Sequence, residues 1–164
     1  MLTIFWNQVS CQDKLTPGLL TRVFKESIDQ PEKDVIIFGQ NAWQFCNSDS
    51  AYFKSDTLYM YAGAFEFDNH AAAQFTCCER VGWTFYKAGK IVVNRCHLCR
   101  EPSQCSFTTR SDHYQVKVRK QKLKLFIDIV NSAGTQSFQV INLYTDRAGR
   151  LFRIITLLRV RKAD

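Results

Sequence analysis

The sequence has little proline and little glycine, with three Pro and seven Gly among 164 residues. This scarcity excludes a long flexible linker and a low-complexity tract. Nothing approaches eighteen consecutive apolar residues, so we expect no membrane-spanning helix. The start, MLTIFWNQVSCQDK, has no basic n-region, and its apolar run is too short for a signal peptide. We therefore expect an intracellular protein of the cytoplasm or nucleus, and not a secreted one.

Recognisable catalytic motifs are also missing. The sequence has no glycine-rich phosphate loop, no H-E-x-x-H and no G-x-S-x-G, which are the patterns of common hydrolases and nucleotide-binding enzymes. A thioredoxin-like C-x-x-C pair would stand at a helix N-terminus within a βαβ unit, but here the pair follows a predicted hairpin. We therefore expect a protein without enzyme activity.

The composition is that of a globular protein, with 46% hydrophobic and 23% charged residues. The length predicts one domain over residues 1–164. The net charge of +7 is unevenly spread. Residues 110–164 hold twelve Lys and Arg against four Asp, whereas the aromatic-rich residues 1–109 include ten basic and eleven acidic side chains. The last third is therefore the segment expected to attract anionic partners.

One helix is predicted near the start, in LTPGLLTRVFKESIDQP. Thr16 suits the N-cap and Pro17 the first helical position. Leu19, Leu20, Val23 and Phe24 recur at helical spacing and predict one buried face. Pro31 makes continuation of the helix unfavourable.

The remaining pattern is that of β-strands. WTFYKAGKIVV reads as a hairpin, and HYQVKVRKQKLKLFIDIV alternates on both sides of a parity change in RKQK, which indicates a turn or bulge. LFRIITLLRVRK reads as a last strand with its arginines on one face. We predict a mainly β (α+β) fold of seven to nine strands: an antiparallel meander, as a barrel or a bent sheet, with the N-terminal helix packed on it.

The stretch RCHLCREPSQC contains three of the seven cysteines. Zinc takes four thiolate or imidazole ligands, and a C-x-x-C step lets one turn direct two sulfurs at one ion. The predicted hairpin before this stretch would bring a further cysteine back to it. We therefore predict a structural zinc that staples this loop. The predicted ligands are Cys78, Cys96, Cys99 and Cys105, with Cys77, His97 and His113 as alternates.

Two other interpretations of the cysteines stay open, buried structural thiols and a redox or disulfide use. Thiols stay reduced inside cells, and an odd number of cysteines cannot all pair within one chain. Cys11 and Cys46 are interpreted as small buried apolar residues.

The basic last third predicts a cationic sheet face. Outward Lys and Arg on adjacent strands would neutralise phosphates of RNA or of a single strand. The predicted nucleic-acid-binding residues are Lys117, Arg119, Lys120, Lys122, Lys124, Arg153, Arg159 and Arg161. An acidic protein partner, or a solvated face without any partner, would account for the same charges.

The sequence thus predicts a small non-enzymatic regulatory or accessory protein, of a composition also seen in viral proteins, that binds zinc and nucleic acid. One alternative is a protein-interaction adaptor, of the immune-evasion or scaffold type, that uses the aromatic-rich segment. Another is a closed β-barrel that holds a small apolar ligand in an interior lined by aromatic side chains.

Overall fold

The fold is that of a computed structural model, which describes residues 15–28, 42–62, 77–106, 109–146 and 152–161. The described helices are α1 (Pro17–Glu26), α2 (Ala51–Lys54) and two 3₁₀ turns, Ser48–Ser50 and Arg110–Asp112. The described strands are β1 (Trp43–Cys46), β2 (Thr57–Ala62), β3 (Glu79–Lys87), β4 (Lys90–His97), β5 (Gln104–Cys105), β6 (His113–Gln121), β7 (Lys124–Asn131), β8 (Gly134–Asp146) and β9 (Phe152–Val160).

Eight of these strands form a closed antiparallel barrel. Their order around the wall is β3-β1-β2-β9-β8-β7-β6-β4, and the pairing of β3 with β4 closes the ring. The short strand β5 pairs with the end of β4 outside the ring. The prediction of a mainly β antiparallel meander with an N-terminal helix is confirmed, in its barrel form. Strands from both the neutral and the basic segments share this barrel, since β2 pairs with β9.

The helix α1 begins where the sequence predicts. The Thr16 side chain accepts a hydrogen bond from the Leu19 amide at 3.1 Å, and Pro17 occupies the first turn. The apolar face buries Leu20, Val23 and Phe24. The Phe24 ring stacks on Phe85 of β3 with centroids 4.8 Å apart, so α1 is held against the barrel interior.

Aromatic rings fill the middle of the barrel. Trp43 and Trp83 face each other on β1 and β3 and are at most 1% exposed. Trp83 packs edge-on against Phe138 of β8 at 5.6 Å. The Trp83 indole donates a hydrogen bond of 2.9 Å to the hydroxyl of Tyr52 on α2. These side chains therefore occupy the middle of the interior. A barrel that holds a small apolar ligand would need a cavity there.

The predicted turns agree with the structure where it describes them. The parity change in RKQK is the β6–β7 turn, in which Lys122 has φ +54°. The β3–β4 turn contains Gly89 at φ +66°, a conformation that favours glycine. The sequence also predicts short strands in MLTIFWN and DVIIFG and a turn in DRAGR. The two strands lie outside the described residues, as do four residues of that turn.

Candidate functional site

Six cysteines form three disulfides. We call them the β1 disulfide (Cys46–Cys77), the loop disulfide (Cys78–Cys99) and the β5 disulfide (Cys96–Cys105). All four predicted zinc ligands are therefore bonded to another cysteine, and the prediction of a structural zinc is wrong. A thiolate can ligate zinc only while its sulfur carries no disulfide partner.

The strand register explains these pairings. β3 and β4 pair Arg80 with Cys96, so the hairpin does return the chain to the cysteine-rich loop, as predicted from the sequence. Cys77 and Cys78 are neighbours in the chain, and each bonds a different partner. Cys96 and Cys105 are direct Cα partners on β4 and β5, 4.0 Å apart.

The alternate ligands do not restore a metal site. Cys77 belongs to the β1 disulfide together with Cys46, which was expected to be a buried free thiol. His113 lies next to Tyr86, with its Nδ1 3.4 Å from the tyrosine hydroxyl. His97 has a buried Nδ1 without a hydrogen-bond partner. Within the described ranges, no group of three or more His, Cys, Asp or Glu residues is placed to hold a metal ion.

A cationic surface lies on the β6–β7 hairpin. We call it the β6–β7 strip and define it as Lys117, Arg119, Lys120, Lys122 and Lys124. The four lysines are exposed and Arg119 is half-buried. Val116 and Val118 of β6 point toward the barrel interior, so Lys117 and Arg119 point outward. Lys120 has the inward parity and pairs with buried Leu125, so it reaches solvent near the end of β6, at the end of the barrel. Lys90, next to Gln115 of β6 in the register, extends the positive charge to β4.

Asp128 is the one carboxylate that β6 and β7 carry. Arg119 donates to it at 2.6 Å and lies over the Phe126 ring at 4.3 Å. Burial raises the pKa of Asp128, but hydrogen bonds from Arg119 and Ser137 and the charges of Arg119 and Lys117 outweigh burial, so its pKa lies below its usual value. Arg119 is thus partly neutralised, which leaves the four lysines as the principal free charge of the strip.

The arginines of β9 do not join this surface. Their alternation was predicted correctly, but Ile155 and Leu157, which share their face, are buried in the interior. Arg153 is only 5% exposed; it donates to the Val23 carbonyl at 3.2 Å and pairs with Glu26 of α1. The two apolar side chains determine which face of β9 turns inward.

Arg159 and Arg161 have structural contacts as well. Arg159 donates to the Tyr52 carbonyl at 2.6 Å and lies over the Phe138 ring at 5.0 Å. Arg161 is exposed and pairs with Asp56 at 2.7 Å. Arg153 and Arg159 stand six residues apart on one face, about 20 Å in a strand. Each therefore fixes a helix, α1 or α2, at its own end of the barrel.

The sequence pattern does not predict the structural role of Tyr52. It belongs to a four-residue helix, too short for a periodic signal. The side chain is 1% exposed. Burial raises its pKa to about 12, opposed by the Trp83 hydrogen bond and the Arg159 charge. Its role is to close the second end of the barrel.

The strip is thus the portion of the predicted interface that the fold brings together on one hairpin. None of the described helices has the length and apolarity needed to cross a membrane. Comparison of the chain with protein-family models, with curated proteins and with solved structures gives no match.

Proposed function

We propose that this protein is a non-enzymatic binding protein whose β6–β7 strip binds the phosphates of nucleic acid. One observation carries this proposal: four exposed lysines share one hairpin whose single carboxylate, Asp128, is already paired with Arg119. Lysine ammonium groups neutralise phosphates and release counterions. Such binding depends on charge and needs neither a metal nor a catalytic group.

The interface is smaller than the one predicted from the sequence. Arg153 and Arg159 contribute their charges to the two helices, and Arg161 is paired with Asp56. Lys117, Lys120, Lys122 and Lys124 remain, with Arg119 as a positioning group beside Phe126. The fixed antiparallel hairpin holds them in one place, which lowers the entropy lost on binding.

The cellular location remains a prediction, and the disulfides count against the cytoplasm. Three disulfides are typical of oxidising compartments, because cytosolic thiol systems keep cysteines reduced. The strip does not depend on this question, since its five residues lie on strands β6 and β7 and the turn between them, which carry no cysteine.

The test replaces Lys120, Lys122 and Lys124 together by Glu and measures binding of a labelled oligonucleotide between about 50 and about 300 mM salt. Affinity should fall at least about 100-fold, because each lysine near a polyanion contributes on the order of 1 kcal/mol and the new charges repel. The slope of log affinity against log salt should become shallower by about 2.

A matched control changes Lys54, Arg100 and Arg110 to Glu. These exposed residues alter the net charge equally but lie on α2, in the loop before β5 and ahead of β6. The control should retain affinity to within a few-fold. Equal losses of affinity in both triple variants would show that binding depends on the net charge of the protein alone. If the parent protein does not bind the oligonucleotide, the proposed function is wrong.

A further inference from the structure

The outer wall next to the strip is unusually apolar. Among the described residues, five of the nine exposed large hydrophobic side chains lie on the neighbouring strands β2, β9 and β8. We call them the tyrosine patch: Tyr59 (51% exposed), Ile141 (49%), Tyr144 (43%), Val160 (41%) and Leu158 (37%). A contiguous exposed apolar surface of this kind marks a binding surface more often than chance.

The strand register makes the patch continuous. On β9, Thr156 is the partner of Tyr59 on one side and of Asn142 on the other. Tyr144 pairs with Ile154, two residues before Thr156 on β9. The two tyrosines therefore flank β9, with their backbones about 12 Å apart. A bulge between Val140 and Asn142 adds Ile141 to the outward face.

The patch shares the outer wall with Lys117 and Arg119 of the β6–β7 strip. One row of the sheet runs from Arg119 through Phe126 and Gln139 to Leu158. These partners follow each other at the strand spacing of about 4.8 Å, so the row crosses from charge to apolar surface within about 15 Å. The outward side chains within residues 57–62, 134–145 and 153–160 include no carboxylate to repel a phosphate.

We propose that the tyrosine patch stacks the bases of a single-stranded nucleic acid whose phosphates lie on the β6–β7 strip. This inference rests on the proposed function and specifies its ligand. Single strands are bound by cations along the backbone together with aromatic rings that stack successive bases. A duplex keeps its bases stacked inside, so it would contact the strip and leave Tyr59 and Tyr144 unused.

The experiment compares a labelled thymidine oligomer of about 20 nucleotides, a duplex of the same length and a sulfated polysaccharide. Tyr59→Leu and Tyr144→Leu remove the aromatic ring while keeping an apolar side chain. Each should weaken binding of the oligomer by about 5-fold or more, with the salt slope unchanged. Tyr86→Leu is the matched control, because Tyr86 is 40% exposed on β3, outside the patch.

The outcomes separate the two proposals. If the lysine triple variant loses the oligomer but both tyrosine variants bind like the parent, the stacking inference is overturned and the proposed function stands. Binding of duplex or polysaccharide as tight as that of the oligomer also overturns it. If the parent sediments as a dimer that Tyr59→Leu converts to a monomer, the patch is covered by a second copy and the inference fails.

Discussion

Removal of the disulfides one at a time gives a graded prediction for stability. Each variant replaces both cysteines of one pair by Ala, so that no free thiol remains to exchange with the other pairs. All variants carry Cys11→Ser, because Cys11 is the seventh cysteine and belongs to none of the three described disulfides. The β1, loop and β5 disulfides join residues 31, 21 and 9 positions apart.

The expected losses follow from the lengths of the closed loops. A cross-link removes from the unfolded chain a constant amount of entropy plus an amount that grows with the logarithm of the loop length. The three separations correspond to about 3.7, 3.3 and 2.6 kcal/mol of unfolding free energy. The β5 disulfide should cost least for a second reason, since β5 lies outside the closed barrel.

Urea unfolding monitored by tryptophan fluorescence measures these losses. Trp43 and Trp83 are buried in the barrel and report its opening. Peptide mapping without reduction confirms that the two remaining disulfides of each variant are intact. Metal analysis of the parent protein, run in parallel, should find less than about 0.1 zinc per chain, because disulfide sulfurs do not ligate the ion.

Two results would refute this reasoning. A larger loss for the β5 variant than for the β1 variant would show that native contacts around the sulfurs, and not loop entropy, decide the stability. Free thiols in the parent together with about one zinc per chain would refute the disulfide pairing itself.

The remaining predictions concern packing and pH. A Cβ added at Gly82 would lie 2.5 Å from Asn94 Oδ1, so Gly82→Ala should lower the free energy of unfolding by about 1–3 kcal/mol. Adding Asn94→Ala to that variant should restore most of this free energy. Additive losses of the two substitutions in urea unfolding would contradict the clash. Tyr52 has a pKa of about 12 when folded and 10.0 as its ordinary value. Its stabilising contribution is therefore complete below pH 10 and declines by about 3 kcal/mol as pH rises from 10 to 12. Unfolding measurements should show that the stability advantage of the parent over Tyr52→Phe shrinks over this interval, and a constant difference would exclude Tyr52 as the titrating group.

The fold class was predictable because its signals are local. Alternation in β6 to β9 and the cap at Thr16 depend on neighbours in the sequence, and the structure agrees with both. The sequence does not decide between a closed barrel and a bent sheet, since closure depends on the pairing of β2 with β9. No local pattern specifies which distant strands become partners.

The cysteine chemistry was the principal error. Proximity of Cys78 to the C-x-x-C loop was correctly inferred from the hairpin, but proximity alone does not distinguish a zinc site from disulfides. The choice between zinc and disulfides depends on Cys46, because it provides the partner for Cys77. These two cysteines are 31 positions apart in the sequence. The prediction that the arginines of β9 face solvent is wrong for a related reason. Alternation identifies the two faces of a strand but does not show which face is buried.

The pairing of β2 with β9 has a consequence for synthesis of the chain. The β3–β4 and β6–β7–β8–β9 pairings join strands that are neighbours in sequence, but Thr57 and Leu158 are about 100 residues apart, a contact that forms slowly. β9 is also translated after every other described strand. Until it emerges from the ribosome, β2 and β8 present unpaired edges, so stalled or truncated chains should aggregate through them.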